Sequence, residues 1–533
     1  MICVFPEYIS KIDEYAEKEL NISAKTLMGR AGDAVAQEAL VMTEGEKSPR
    51  ITVLCGGGNN GGDGYAAALT LKRNGALLTV IDVFSSGQRT YAGKYYLSEY
   101  ENTEGVYKLS ELSDGELFSI FSHSDLIIDA ILGTGAKKDL SDTLCALADA
   151  VNASGARVLA VDVPLGVSAL DGTLAKKYIK ADKTLMLSYA KTGLYSYPAR
   201  EACGELLCDG IGINGEKINA AFSLSHTVAD DDAVREMLPE RKKNSHKGSF
   251  GTLSMLCGSE KYRGAAILSA HAALHTGVGI ARLVSDGCVC DSACPTLPEV
   301  IYSPTKEKDT PEEIIEKLGP ATAVLVGCGC DTTEKLYTIV CNLLKADGCP
   351  VVLDADALNA LSKYGVDILL ASKRKVIITP HPAEMARLCR ISTAEVSADR
   401  MNTAREFSRK YGVVTLLKGA STIITDGERV MINASGNSSL AKGGSGDTLA
   451  GAISSFLAQG VEPFCAAACG AYIHARAGEE LSLEYSEFGV RPFDLAPAMA
   501  KIINELTNGK NDKINLDGGE YAFKNIQRRH IRH

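Results

Sequence analysis

The chain lacks the excess of basic residues that binding to nucleic acid or to an anionic membrane requires. Its 533 residues include 56 Lys and Arg against 66 Asp and Glu, a net charge of -10 at pH 7. Clustered Lys and Arg would supply most of the affinity for such polyanionic surfaces. We therefore expect no nucleic-acid or membrane partner and favour a small-molecule ligand whose phosphates are bound locally.

Long apolar runs are also missing. No stretch reaches the roughly 20 residues that span a bilayer. The N-terminal Met1-Ile-Cys-Val-Phe-Pro-Glu7 has no basic region followed by an apolar one, so it does not resemble a secretory signal. We expect a cytoplasmic protein.

The sixteen cysteines lack the spacing of a zinc site. Cys288, Cys290 and Cys294, and likewise Cys328 and Cys330, are close in sequence but have neither two-residue spacing nor accompanying histidines. The other cysteines are scattered singly, which fits buried thiols in a reducing compartment rather than a disulfide framework. We predict structural thiols.

The length exceeds that of one ordinary domain. Short apolar strands alternate with helical segments in both halves, which predicts an α/β fold with two three-layer domains. Turn formers and an acidic cluster without periodicity predict a linker. The expected organisation is a first domain over 1–215, a linker over 216–228, a second domain over 229–510 and a mobile tail over 511–533.

In the first half, Arg50–Gly64 is a buried strand that runs into a Gly-rich turn and a helix. This arrangement opens a doubly wound nucleotide-binding sheet. Asp129 and Asp162 each end a later strand. A single Asp after a strand is more often a helix cap, but the carboxyl ends of parallel strands share one edge. We therefore predict that Asn60, Asp129 and Asp162 converge on one crevice.

These segments, together with 8–32, resemble the NAD(P)H-hydrate epimerase (YjeF N-terminal) family, which includes apolipoprotein A-I-binding protein. The resemblance implies a Rossmann-like fold that binds hydrated NADH or NADPH and potassium (K+). It implies potassium ligands at Asn60 and Asp129, and catalytic roles for Lys137 and Asp162. The implied hydrate contacts are Asn59, Asn60, Gly61, Gly62, Asp63, Gly133, Thr134, Gly135, Ala136, Lys137, Lys138, Asp139 and Asp162.

One position departs from that family. The family usually has Pro-Ser-Gly where this chain has Pro164-Leu165-Gly166, and Ser168 stands where an Asp is common. Leucine has no side-chain oxygen, so a potassium ligand at Leu165 would have to be its backbone carbonyl. The departure leaves open a first domain that binds a ligand without catalysis.

In the second half, Lys442-Gly-Gly-Ser-Gly-Asp447 leads directly into an apolar helix. Unpaired N–H groups of Gly444, Ser445 and Gly446 at the positive end of that helix would form an anion site. A simple helix cap is the alternative. A carboxylate at this corner suits a base acting on a hydroxyl about to receive a phosphate, so we predict phosphoryl transfer.

With His246-Lys-Gly248, the loop at 379–384, the run at 418–422 and Gly436-Asn437, this corner resembles ADP- or ATP-dependent NAD(P)H-hydrate dehydratases (YjeF C-terminal family, ribokinase-like fold). Cys328 and Cys330 stand where that family often has Pro and Leu. The implied hydrate contacts are Ala266, Gly329, His381 and Asp447. The implied ADP or ATP contacts are Lys418, Gly419, Ala420, Ser421, Thr422, Asn437, Lys442, Gly443, Gly444, Ser445 and Gly446.

Together the two resemblances imply a bifunctional repair enzyme. Its first domain would interconvert the R and S hydrates, and its second would dehydrate the S epimer. Asp447 would take the hydroxyl proton, and the nucleotide, with Mg2+, would phosphorylate that oxygen so that phosphate leaves. We expect a homo-oligomer. A ribokinase-like small-molecule kinase, such as a hydroxymethylpyrimidine kinase, with a non-catalytic first domain is the alternative. A NAD-dependent redox enzyme finds no support in the phosphate corner.

Overall fold

The structure, a computed structural model, describes residues 2–84, 89–135, 139–222 and 224–508. The chain divides between Leu224 and Ser225 into two compact units. Each unit is α/β and is described separately. None of the described helices combines the length and apolarity needed to cross a bilayer.

The first domain is built on a seven-stranded parallel sheet, flanked by helices. Its strands are β1 (Cys3–Val4), β2 (Arg50–Cys55), β3 (Leu77–Asp82), β4 (Tyr107–Lys108), β5 (Leu126–Ala130), β6 (Arg157–Val161), β7 (Lys183–Leu187), β8 (Ala190–Lys191) and β9 (Glu205–Asp209). Its helices are α1 (Pro6–Lys18), α2 (Ala24–Met42), α3 (Asn59–Arg73), α4 (Tyr91–Glu101), α5 (Asp114–Ser122), α6 (Asp142–Ala153), α7 (Ala199–Cys203) and α8 (Gly215–Phe222). The main sheet has the order β4-β3-β2-β5-β6-β7-β9, and β1 pairs separately with β8.

Both faces of this sheet are covered, which accounts for its continuous apolar strands. Along β2, Ile51, Val53 and Cys55 pack into a core shared with α2 and α3. The intervening Leu54 packs into a second core shared with α5 and α6. The three-layer arrangement predicted for the first domain follows from this alternation.

The segment 216–228 differs from the irregular linker expected there. Helix α8 buries Ile218 completely, and the Phe222 ring packs edge-on against Tyr8 and Tyr15 of α1. Three residues that follow Ser225 form a strand of the second domain. The turn formers that precede Gly215 favoured a linker, whereas the segment after them forms a short amphipathic helix. The tail, for which mobility was expected, lies outside the described residues from residue 509 onward.

The second domain contains a ten-stranded sheet. Its strands are β10 (His226–Val228), β11 (Thr252–Leu256), β12 (Ile280–Asp286), β13 (Ile301–Thr305), β14 (Ala323–Val326), β15 (Val351–Leu353), β16 (Val376–Ile378), β17 (Val414–Leu417), β18 (Thr422–Thr425) and β19 (Val430–Asn433). The order is β10-β19-β18-β17-β16-β15-β14-β11-β12-β13. Pairing is parallel except that β18 runs antiparallel to β17 and β19.

Helices cover this sheet, and one of them carries the predicted phosphate corner at its start. They are α9 (Asp231–Met237), α10 (Arg263–His275), α11 (Gly287–Ala293), α12 (Pro311–Leu318), α13 (Glu334–Lys345), α14 (Asp356–Tyr364), α15 (Pro382–Cys389), α16 (Thr393–Ala398), α17 (Arg400–Tyr411), α18 (Ser445–Ala458), α19 (Pro463–Gly489) and α20 (Pro492–Asn508). Helix α18 packs closely on α10, since a Cβ at Gly451 would lie 2.1 Å from the Ser269 carbonyl oxygen. Small residues thereby hold the start of α18 at a fixed place over the sheet.

Candidate functional site

In the second domain, four neighbouring parallel strands end at one edge of the sheet. The strands β17, β16, β15 and β14 are adjacent in that order. Polar residues follow directly after their carboxyl ends: Lys418, Thr379, Asp354 and Cys328. Ligands in open parallel sheets bind outside this edge.

The centre of this edge is a buried ion pair. Lys418 Nζ lies 2.9 Å from Asp354 Oδ1, and the Thr379 hydroxyl donates to the same oxygen at 2.7 Å. Asp354 is 2% exposed. Burial acts to lower the pKa of Lys418, but the carboxylates of Asp354 and Glu384 hold that pKa above its usual range. Lys418 is therefore a fixed positive charge at the sheet edge.

Asp447 faces this pair from the first turn of α18. Helix α10 holds that turn, because the Ser269 hydroxyl donates to the Asp447 backbone carbonyl at 3.1 Å. Burial and then the negative charge of Asp354 raise the pKa of Asp447 to about 6. Ligand atoms of Cys328, Asp354 and Asp447 all lie within 4.8 Å of one another. A carboxyl poised to gain or lose a proton thus lies beside a fixed cation.

The start of α18 is open toward Lys418. Gly444 has φ +99, a left-handed conformation that favours glycine. A Cβ on Gly446 would lie 3.5 Å from Lys418 Nζ. The Ser445 N–H donates to the Lys442 carbonyl at 3.2 Å, so the prediction of three unpaired N–H groups was wrong at Ser445. For Gly444 and Gly446, no backbone acceptor occurs among the residues that the structure describes. Two N–H groups and one ammonium suit a phosphate.

The predicted hydrate contacts Ala266 and Gly329 lie at one corner of this edge. Gly329 has φ +66, and a Cβ there would lie 2.7 Å from the Cβ of Tyr262. A Cβ on Gly258 would lie 2.9 Å from the Cβ of Ala266. The glycines therefore let the backbone pack closely against Tyr262 and Ala266 at this corner.

His381, a predicted hydrate contact, lies between two prolines and is held by the backbone that follows it. Its Nδ1 accepts from the N–H groups of Ala383 at 3.2 Å and Glu384 at 3.3 Å. Burial, with the positive charges of Lys418 and Arg387, lowers the pKa of His381. The ring is therefore a neutral group of fixed orientation.

The predicted nucleotide contacts at 419–422 and 437–443 divide into two groups. The Ser421 hydroxyl is buried and has no hydrogen-bond partner among the described residues, which suits a polar ligand. Lys442 Nζ instead donates to the Phe488 carbonyl at 2.7 Å, and the Asn437 amide donates to Ser482 Oγ at 3.1 Å. Lys442 and Asn437 thus brace the loop. Of the remaining members, the Thr422 hydroxyl donates to the Gly419 carbonyl at 3.0 Å; the others are Ala420 and Gly443.

In the first domain, Asn60 lies in the first turn of α3, which follows β2, and Asp129 lies near the end of the neighbouring strand β5. Asp129 is fully buried, and its carboxylate accepts from the N–H groups of Ile131 at 3.2 Å and Leu165 at 2.7 Å. Burial raises its pKa to about 6. No Lys or Arg of the described residues pairs with it. Buried carboxylates are usually paired or bind a cation, so this donor set fits potassium.

Leu165 contributes little to such a site. Its N–H is used by Asp129, and its carbonyl accepts from the Ile179 N–H at 2.9 Å. Its side chain packs into a core shared with α5 and α6. The carbonyl keeps only its second lone pair for a cation, so of the three predicted potassium ligands Asn60 and Asp129 offer side-chain oxygens.

Asp162 is the most constrained residue of this crevice. It has φ +67, an uncommon conformation for a non-glycine residue that costs energy and concentrates at functional sites. Its Oδ1 forms an ion pair with Lys191 and accepts from the Leu187 N–H at 3.2 Å. Its Oδ2 faces Gly133, where a Cβ would lie 3.4 Å away. One oxygen of Asp162 is thus held, and the other faces the crevice.

The other predicted hydrate contacts lie on the first turn of α3 and on the loop after β5. Burial, then the charges of Asp162 and Asp13, raise the pKa of Asp63 well above its usual value. Asn59 begins α3 and is exposed, whereas Gly61 and Gly62 are buried in its first turn. Thr134, Gly135 and Asp139 lie between β5 and α6. Ala136, Lys137 and Lys138, including the predicted catalytic lysine, lie outside the described residues.

Three residues of these sites were missed by the sequence analysis. Asp354 follows a buried strand, the same signal that identified Asp129, and could have been found. Lys191 is 0% exposed but lies 29 residues from Asp162, with no local pattern that links them. Asp13, on α1, carries no signal in the sequence.

Comparison with known proteins identifies the family to which the chain belongs. The profile described as "YjeF-related protein N-terminus" matches residues 24–193, and the profile "NAD(P)H-hydrate dehydratase" matches residues 253–501. The "Bifunctional NAD(P)H-hydrate repair enzyme Nnr" of Moorella thermoacetica is 31% identical over 520 residues, which cover 95% of this chain and 97% of that protein. The chain belongs to this bifunctional family.

Further relatives match nearly the whole chain or about half of it. The protein of the same name from Escherichia coli is 30% identical and covers 95% of both chains. A solved ADP/ATP-dependent NAD(P)H-hydrate dehydratase of Bacillus subtilis, co-crystallised with ATP/Mg2+, is 31% identical, with a TM-score of 0.47, and covers 52% of this chain and 98% of its own. The family and the α/β fold class predicted from the sequence are confirmed for both domains.

Proposed function

We propose that this member of the repair family restores hydrated NADH and NADPH in two steps. The first domain interconverts the R and S epimers of the hydrate. The second domain dehydrates the S epimer with ADP or ATP and Mg2+. The observation that carries the proposal is the half-buried carboxyl of Asp447, placed between the open start of α18 and the Lys418 ammonium.

In the second domain, the chain supplies a base and a phosphate-binding frame. A bound nucleotide supplies the terminal phosphoryl group that turns the ring hydroxyl into a leaving group. Asp447 accepts the proton of that hydroxyl. Lys418 and the N–H groups of Gly444 and Gly446 hold the transferred phosphate against repulsion by the carboxylates. Asp354 Oδ2, the oxygen that Lys418 does not engage, is the candidate contact for Mg2+.

The experiment that tests this proposal follows the product. Incubation of S-NADH hydrate with protein, Mg2+ and ATP or ADP should yield the absorbance of reduced nicotinamide together with one equivalent of inorganic phosphate. The kinase alternative gives a stable phosphoester and no recovered NADH. Accumulation of that ester would therefore contradict the proposal.

The dehydration rate should fall in acid. Asp447 acts as a base only when ionised, and its pKa is about 6. We expect kcat/KM to be constant above that pH and to fall about tenfold per unit below it. Initial rates of NADH recovery across the acid range measure this. Burial raises the pKa of Glu384 to about 7, so Glu384 is the second candidate for the group whose protonation lowers kcat/KM. Glu384→Gln should leave the midpoint in place, whereas a midpoint near 4, the ordinary aspartate value of about 3.9, would contradict the assignment.

In the first domain, Asp162 is proposed as the catalytic base and Lys191 as its positioning residue. Lys191 and the Leu187 N–H fix Oδ1, so Oδ2 can take a substrate proton from the side of Gly133. Asn60 and Asp129 would hold potassium, whose charge offsets the buried carboxylate and orders the loop at Leu132, to which Asn60 donates at 3.0 Å. Lys137 stays a candidate on sequence grounds alone.

Asp129→Asn should remove the response of the first domain to potassium. The amide keeps the shape of the side chain but not the charge that attracts the cation. In the parent protein, exchanging Na+ for K+ should raise the Tm of the first domain and the epimerisation rate, and in the variant neither should change. Asp125→Asn, at a partly exposed carboxylate paired with Arg50, is the matched control. A full potassium response in Asp129→Asn would contradict the site.

A further inference from the structure

Cys328 lies at the centre of the second-domain site rather than in the core alone. Its thiol is fully buried and donates to Asp354 Oδ2 at 3.7 Å. With Asp354 and Asp447 it forms the one group of at least three metal-ligating side chains that the described residues bring together. The sequence-based interpretation of this cysteine as purely structural does not account for that placement.

The dimensions of the group match a small, thiophilic cation. Tetrahedral Zn2+ binds sulfur at about 2.3 Å and oxygen at about 2.0–2.2 Å, which sets the sulfur and oxygen ligands about 3.5 Å apart. The Cys328 sulfur and Asp354 oxygen are 3.7 Å apart. The ligand atoms of all three residues lie within 4.8 Å of one another, so Asp447 must move closer to complete the shell.

Charge also favours a divalent ion. An ionised thiol and two carboxylates carry three negative charges, and the Lys418 ammonium beside them is shared with Glu384. A divalent cation that displaces the thiol proton to solvent offsets much of this negative charge.

The site is accessible from one side. Asp447 is half-buried, whereas Cys328 and Asp354 are buried, so an ion enters from the Asp447 side.

We propose that Cys328, Asp354 and Asp447 form a binding site for a thiophilic divalent cation of the Zn2+ class. Mg2+ does not compete well for it, because magnesium prefers oxygen ligands and octahedral geometry. Occupation engages the Asp447 carboxylate. Zn2+ should therefore inhibit dehydration even in excess Mg2+, a consequence that rests on the proposed function.

Cobalt binding to the full chain, without nucleotide, tests the site by a readout independent of activity. One equivalent of Co2+ should produce the intense near-ultraviolet absorption of a thiolate–cobalt bond, with release of protons, and Zn2+ should displace it. Cys328→Ala and Cys328→Ser should both lose that absorption. Cys330→Ala should retain it, since the Cys330 thiol donates to the Leu256 carbonyl at 3.2 Å and lies outside the group.

Absence of the thiolate band in the parent protein, or its persistence in both Cys328 variants, would overturn the proposal. Circular dichroism checks that each variant is folded. If the alanine variant does not fold, the serine variant, which nearly preserves the size of the side chain, takes its place. In the activity arm, Zn2+ sensitivity should drop by about tenfold or more in Cys328→Ala. A protein that binds cobalt through Cys328 but recovers no NADH would refute the proposed function and leave the metal site intact.

Discussion

Replacing Asp447 by asparagine is expected to abolish nucleotide-dependent recovery of NADH, with kcat lowered about 10²- to 10⁴-fold. The amide has nearly the same shape as the carboxyl but cannot accept the proton of the ring hydroxyl. The start of α18 should stay in place, because Ser269 holds it through the Asp447 backbone carbonyl. Initial rates of NADH absorbance with saturating ATP and Mg2+ measure the effect.

Asp356→Asn is the matched control for this substitution. Asp356 lies at the same edge of the sheet, but its carboxylate accepts from the Asp331 N–H at 3.0 Å and from the Thr332 hydroxyl at 2.9 Å. Its loss should change the rate less than tenfold. If Asp447→Asn were as active as this control, Asp447 could not be the base.

Replacing Lys191 by methionine should destabilise the first domain by about 3–5 kcal/mol, because it leaves a buried carboxylate without its cation. Lys191 is 0% exposed and the Asp162 side chain 13% exposed. The first-domain transition in denaturant unfolding of the full chain measures this loss. Lys177→Met, which removes an exposed pair with Asp149, should cost at most about 1 kcal/mol.

A double variant separates the structural role of Lys191 from its positioning role. Lys191→Met combined with Asp162→Asn removes both charges, so much of the lost stability should return. Epimerisation should nevertheless remain abolished, because no base is left. Recovery of epimerase activity in the double variant would exclude Asp162 as the base. If the single Lys191→Met variant had the same unfolding free energy as Lys177→Met, the Lys191–Asp162 pair could not be buried.

Much of the two sites could be predicted from sequence because the chemistry lies at local corners. Glycine-rich turns after apolar strands mark the carboxyl ends of a parallel sheet, and these ends share one edge. Asp129 and Asp162 were predicted from this pattern, and in the structure Asp129 lies near the end of β5 and Asp162 directly follows β6. The α18 start was identified from the same kind of pattern, a glycine run entering an apolar helix.

The parts that could not be predicted depend on contacts between distant segments. Lys191 contacts Asp162 because β8, which carries Lys191, closely follows β7, and β7 lies beside β6, which Asp162 follows. Lys442 donates to the Phe488 carbonyl 46 residues away, although its place in a glycine-rich loop favoured a phosphate contact. Cys328 was predicted to be structural because the spacing of residues along the chain does not show which distant side chains lie beside it. The two neighbouring carboxylates follow another strand and begin a helix.

The most direct test of the account is the recovery of NADH from an epimer mixture by the unmodified protein with ATP, Mg2+ and K+. The account predicts that both epimers are converted at enzymatic rates, so that the absorbance reaches the value for the whole of the hydrate supplied. Rapid conversion of the S epimer alone, followed by a slow phase at the spontaneous epimerisation rate, would contradict the proposed activity of the first domain. No nucleotide-dependent recovery of either epimer would contradict the account as a whole.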